Sequence, residues 1–108
     1  MKPEGAMLCH LEDIADGQSL AIQTATEHLV LVRRGTQVWA YVNRCPHFSI
    51  PLDFVPGTIH TYEAEVLMCA HHSALFRFHD GVCIDGPCQG SALASRAVRV
   101  VQGKVFLQ

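Results

Sequence analysis

Cys45-Pro46-His47 and Cys69-Ala70-His71-His72 are two short stretches in which a thiol is followed closely by an imidazole, and they decide how the rest of the chain is read. Twenty-one residues, Phe48 to Met68, separate them, so the two halves sit on different loops that the fold must bring face to face. Taken together as C-x-H and C-x-x-H, they supply two thiolates and two neutral rings to one metal site. A structural zinc site also accepts two Cys and two His, but its usual grammar pairs like ligands on each arm, C-x2-4-C and then H-x3-5-H. Here each arm mixes the two ligand types. The residues alone leave open a zinc site, and also a metal-free set of buried cysteines and hydrogen-bonded histidines. They also leave open which ring of the second arm is the ligand, because Cys69-Ala70-His71 repeats the C-x-H spacing.

Strand-like segments flank both arms. Val38, Ala40 and Val42 alternate with Gln37, Trp39 and Tyr41 after Glu27–Arg33 and an Arg34-Gly35 turn, which predicts a hairpin ending at Asn43-Arg44, just before the first arm. Glu65–Met68 predicts a strand entering the second arm. Beyond it, Leu75–Phe78 and Val82–Ile84 flank His79-Asp80-Gly81, and Asp-Gly is a strong hairpin signal. Between the arms, Pro51, Pro56 and Gly57 forbid a long regular element, so the segment reads as a wrapping connection in which His60 is solvated. Met7–His10 and Ser19–Gln23 read as further strands, separated by a single turn at Leu11–Ile14. Ala97–Val101 and Lys104–Leu107 close the chain as a hairpin with Val98 and Val100 on one face and Arg99 on the other. No segment sustains a helical period over the roughly ten residues a helix needs. The expectation is an all-β fold, a sandwich or small barrel.

At 108 residues the sequence predicts one domain spanning 1–108. With 49% hydrophobic and 17% charged residues it is ordinary globular material. A formal net charge of −2 lacks the basic footprint of a nucleic-acid binder, so DNA and RNA are not expected partners. The opening residues have no apolar core of signal-peptide length, and Leu29-Val30-Leu31-Val32 is only strand-sized, so no membrane partner is expected either. Five cysteines, an odd number, argue against a complete disulfide framework and for a reducing cytoplasm. Cys9, Cys83 and Cys88 are read as small buried hydrophobes, with Cys88 also a candidate for the surroundings of the metal.

The two mixed arms closely resemble those of the Rieske iron-sulfur family, in which two cysteines hold one iron and two histidines the other iron of a 2Fe-2S cluster. The resemblance implies Cys45 and Cys69 as ligands of the inner iron and His47 and His72 of the outer one, selecting His72 over His71. It implies stacked antiparallel sheets with a cluster-binding subdomain, near 43–89, inserted in a base domain. Gly86-Pro87-Cys88-Gln89 is similar to the family's third, proline-containing loop, and the 48–68 connection is a few residues longer than is usual there. Features of the high-potential branch are missing. Its loop-bridging disulfide would need cysteines where this chain has His71 and Ile50, and its Ser and Tyr hydrogen-bond donors fall on Ala74 and Phe76. Such donors raise the potential, so a value in the lower part of the Rieske range of roughly −150 to +300 mV is expected.

The same resemblance implies a function. The chain has no room for the mononuclear iron domain of a Rieske oxygenase, so it looks like an electron-transfer component rather than an enzyme. It would pass single electrons from a flavin-dependent reductase to a terminal oxygenase of an aromatic-ring-hydroxylating dioxygenase system. Two other readings stand beside this one: the small Rieske subunit of an assimilatory nitrite reductase, and a zinc-stabilised interaction module with no redox role.

Overall fold

The apolar run Leu29-Val30-Leu31-Val32 has no exposed surface at any of its four positions. A strand on the outside of a sandwich alternates buried and wet, whereas a run buried at every position has protein on both faces. The computed structural model, which describes residues 7–44, 46, 52, 59–69, 73–86 and 89–108, shows this arrangement. Eleven strands are found among these residues: β1 (Met7–His10), β2 (Ser19–Gln23), β3 (His28–Arg34), β4 (Gln37–Val42), β5 (Thr61–Tyr62), β6 (Val66–Cys69), β7 (Ala74–Arg77), β8 (Cys83–Asp85), β9 (Ser95–Arg96), β10 (Val98–Val101) and β11 (Lys104–Leu107). A single 3-10 turn, Leu11–Asp13, follows β1. The strands form three antiparallel sheets, ordered β1-β11-β10, β2-β3-β4-β9 and β5-β6-β7-β8.

The second of these sheets is the shared middle layer. Leu29, Leu31 and Ala40 face Cys9, Ile14 and Val105 in one core, with Val98 and Val100 packed against it. Val30, Val32 and Tyr41 face Leu67, Cys69, Phe76, Phe78 and Cys83 in the other. The register pairs Leu31 with Ala40 and Val30 with Tyr41, so each face of the hairpin serves one core. Each such buried Leu or Val contributes about 1.5–3 kcal/mol relative to exposure.

Polar contacts fix the third sheet to the middle one. The Ser19 hydroxyl donates to the Ile59 carbonyl at 2.8 Å, and the Thr61 hydroxyl donates to the Gly17 carbonyl at 2.9 Å. The buried Tyr41 hydroxyl donates to the Phe78 carbonyl. Burial, with Asp80 nearby, raises its pKa well above the ordinary phenol value, so it stays a donor. Gly81 lies against that ring at φ +72, and a Cβ there would come within 2.6 Å of a Tyr41 ring carbon. Asp80 shapes the same turn: it accepts from the Val82 amide at 3.0 Å and from Arg77 at 3.0 and 2.6 Å.

The all-β expectation and most strand positions agree with the structure, but two strands are additional to those read from the sequence. β5 pairs with β6 through a turn whose central residues, Glu63 and Ala64, both take positive φ, +54 and +55, with no glycine to announce it. β9 is two residues long and pairs with Ala40 and Tyr41, too short for any period to register. Phe78, expected at the end of a strand, lies one residue beyond β7 and is fully buried. Among the described residues no helix is long and apolar enough to cross a membrane.

Gly81→Ala combines a disfavoured φ with a collision at the Tyr41 ring and is expected to lower stability by about 2 kcal/mol in urea, followed by the fluorescence of Trp39. A second test concerns pH. Arg77 holds the Asp80 carboxyl below its ordinary value of 3.8, so the Asp80 contribution is complete at neutral pH and is lost as pH falls below that value. Wild-type and Asp80→Asn urea midpoints should therefore differ at pH 7 and converge on acidification.

Candidate metal centre

The first arm is launched from the central hairpin. At the end of β4 the Val42 amide bonds the Ala94 carbonyl at 2.8 Å and the Asn43 amide bonds the His28 carbonyl at 2.9 Å. One residue on, the Arg44 amide turns back to the Val42 carbonyl at 2.8 Å, and the chain leaves the sheet. The Asn43 side chain then accepts from the Leu52 amide at 2.7 Å, nine residues along, which closes the stretch holding Cys45, Pro46 and His47 into a loop. Leu52 itself is fully buried in the core beneath the third sheet, so both ends of the loop are anchored.

The second arm grows from the third sheet. Cys69 is the last residue of β6 and has no exposed surface; it pairs across the ladder with Ala74, the first residue of β7. Only four residues connect these strands, and the last, Ser73, takes φ +56. The short β6-β7 connection leaves Cys69 little freedom. Its thiol stands among apolar neighbours that include Ala74, Phe76 and Leu67, and no polar or charged residue is buried among the described residues. A soft sulfur donor on the end of a rigid strand, screened from water, fits the ligation of iron in an iron-sulfur cluster.

Gly86, the first residue of the third loop, is packed onto the first residue of β7. Gly86 takes φ +109, and a Cβ there would lie 2.8 Å from the Ala74 Cα and 2.9 Å from its Cβ, so a glycine is required for this approach. The loop is stitched by the Gln89 side chain donating to the Ile84 carbonyl at 3.1 Å and by the Gly90 amide bonding the Cys83 carbonyl at 3.1 Å. Cys83 is buried and donates its thiol to the Asp85 carbonyl at 3.1 Å. Cys9 is buried too, and desolvation, with Asp13 nearby, raises its pKa above the ordinary thiol value. Both are the small hydrophobes that the sequence suggested.

Of the four residues read as ligands, Cys69 is placed by the structure; Cys45, His47 and His72 lie outside the described residues, as do His71, Ile50, Pro87 and Cys88. Arg44 and Pro46, either side of Cys45, are exposed, and so is Ser73 beside His72. His60 is exposed, as expected for a solvated ring. Ala74 and Phe76 are fully buried and bring no hydroxyl to this end of the sheet. The clamp made by Asn43 and the close approach of Gly86 to Ala74 went unread in the sequence. The first has no motif of its own, and the second shows only as a glycine before a proline.

Comparison with known proteins agrees with this geometry. A model of the Rieske [2Fe-2S] domain family matches residues 5–102. Apoptosis-inducing factor 3 of Homo sapiens is 27% identical over 103 residues, which are 95% of this chain and 16% of that protein; its Mus musculus counterpart is 28% identical over the same extent. The chain therefore spans about a sixth of the length of these curated relatives. Among solved structures, the ferredoxin of carbazole 1,9a-dioxygenase from Nocardioides aromaticivorans IC177 superposes with a TM-score of 0.79 at 22% identity, covering 96% of each chain. The terminal oxygenase of carbazole 1,9a-dioxygenase from Novosphingobium sp. KA1 gives 0.77 at 22% identity, over 94% of this chain and 28% of that one. At these identities the likeness is one of fold.

Gly86→Ala should push the third loop off Ala74. The expected outcome is a loss of about 1–3 kcal/mol in stability together with a lower iron content per purified chain. Unchanged iron and unchanged stability would contradict the role assigned to this contact.

Proposed function

We propose that this chain, which belongs to the Rieske [2Fe-2S] domain family and so is built for a 2Fe-2S cluster, carries single electrons from a flavin-dependent reductase to a terminal oxygenase of the aromatic-ring-hydroxylating type. The observation that carries the reading is the family match over residues 5–102, joined to a fully buried Cys69 at the end of a strand whose partner residue is locked beneath the third loop. The cluster supplies, when bound, a site that accepts and releases one electron. Cys45 and Cys69 would hold the inner iron and His47 and His72 the outer. Residues 1–108 act as one Rieske unit in this reading, with about 43–89 bearing the cluster.

What the chain's own residues do follows from their placement. Asn43 and Leu52 brace the first arm against the core, so its ligands are held as the charge of the site changes. Gly86 lets the chain close on Ala74, the ladder partner of Cys69. Ala74 and Phe76 offer no hydrogen bonds to sulfur or ligand, which supports a potential in the lower part of the roughly −150 to +300 mV Rieske range. The superposition with a ferredoxin over nearly its whole length supports a carrier rather than a catalyst. The odd cysteine count supports a reducing compartment such as the cytoplasm.

Electron paramagnetic resonance of anaerobically purified protein, before and after dithionite, tests this. A signal appearing only on reduction, with a low average g and with iron and acid-labile sulfide in the family's 2:2 ratio, is expected. Cys69→Ser and His72→Ala should each abolish it, while His71→Ala should not. Zinc in place of iron, with silence in both states, would overturn the function and leave the fold.

A further inference from the structure

A hollow of about 400 Å³ opens beside the first arm. Arg44 and Pro46, the residues on either side of Cys45, form one wall; Glu27, at the entry to β3, and Arg96 of β9 form the other, with Val42 and Ala94 between them. The hollow is pre-shaped. Val42 and Ala94 are joined by a backbone bond of 2.8 Å, and the Arg96 guanidinium clasps the Glu27 carboxylate with two bonds of 2.7 and 2.9 Å. A forked pair of this kind fixes both side chains in one plane.

Its charge is unbalanced. The one carboxylate of the hollow is fully engaged by Arg96, and Arg44 is exposed with no ion pair among the described residues. Two guanidiniums against one carboxylate leave one positive charge in excess, in a chain whose net charge is −2. The excess lies next to the first arm, which carries Cys45 and His47, two of the ligands in the function proposed above. Methyl groups of Val42 and Ala94 and the Pro46 ring give it apolar walls, so it suits a side chain that carries its charge on an apolar stem.

We propose that this hollow is the docking point for the redox partner, a protein that presents a Glu or Asp side chain on an apolar-rimmed protrusion and seats it against Arg44, the guanidinium that Glu27 does not engage. The inference rests on the carrier reading and names the partner's chemistry. The contact steers a negatively charged surface toward the first arm, where a bound centre lies within reach for one-electron exchange; no bond forms and no proton moves. Charges in this position act mainly on the rate of encounter, and they do so most at low ionic strength.

The test uses reduced holoprotein oxidised in a stopped-flow by ferricyanide, an anion, and by tris(phenanthroline)cobalt(III), a cation; each takes one electron. Taking the ratio of the two rates cancels any change in driving force. At low salt Arg44→Gln is expected to lower the anion-to-cation rate ratio by about fivefold, an effect that fades as salt shortens the screening length. Arg34→Gln is the control, because Arg34 pairs with Gln37 at the opposite end of the β3-β4 hairpin, about 17 Å from where the arm begins. It should change the ratio far less.

Hexaglutamate then stands in for the partner's acidic surface. It should slow ferricyanide oxidation of the wild type with saturation, leave Arg44→Gln unaffected, and shift the backbone amides of Glu27 and Ala94 in the nitrogen-labelled holoprotein. Equal effects of Arg44→Gln and Arg34→Gln would overturn the proposal in favour of overall charge. A ferricyanide effect without any hexaglutamate binding would overturn it in favour of a small-anion site. Both results require the reduction-dependent resonance to be present; its absence would instead refute the carrier reading.

Discussion

Burial of β3 and β4 on both faces is the constraint from which the rest of the architecture follows. A hairpin with Leu29, Leu31 and Ala40 on one side and Val30, Val32 and Tyr41 on the other cannot meet water on either side. It demands a sheet above and a sheet below, and the chain supplies them from its two ends and from its middle. The ends, β1 with β10 and β11, cover one face; β5 to β8 cover the other. The third sheet is therefore half of a core that the middle layer completes.

This placement sets where the two arms leave the sheets. The first arm leaves the middle sheet at Val42 and the second leaves the third sheet at Cys69, so the two arms rise from opposite sides of one packed interface. Tyr41 and Phe76 are among the side chains that fill this interface. Small residues do the rest where backbones approach: Gly81 beneath Tyr41 and Gly86 over Ala74 leave no room for even a methyl group.

Much of this could be read from residue order. The mixed Cys/His arms pointed to a metal site and their resemblance to the Rieske family supplied the iron-sulfur reading, while alternation in Gln37–Val42 and the Asp80-Gly81 turn located the strands beside them. β5 and β9 stayed hidden because two residues carry no period, and the β5 turn uses Glu63 and Ala64 where glycine or asparagine would have signalled it. The Leu29–Val32 run gave a strand but not its place between two cores, since an unbroken apolar stretch of that length does not say what lies on either side. The hollow beside Arg44 is assembled from three segments far apart in sequence, and no local pattern encodes it.

The shared middle sheet also sets where the molecule tolerates change. A strand with one wet face can drift in sequence there without consequence for its core, but β3 has no such face: each of its central residues answers to one core or the other. Variation that preserves folding is pushed out to the turns. At the β3-β4 tip, nothing lies within 4 Å of the space beside Gly35. That tip is at the far end of the hairpin from the first arm, so a tether added there lies away from the metal loops as long as Gly35, at φ +64 with its amide bonded to Asp16 at 2.8 Å, is kept.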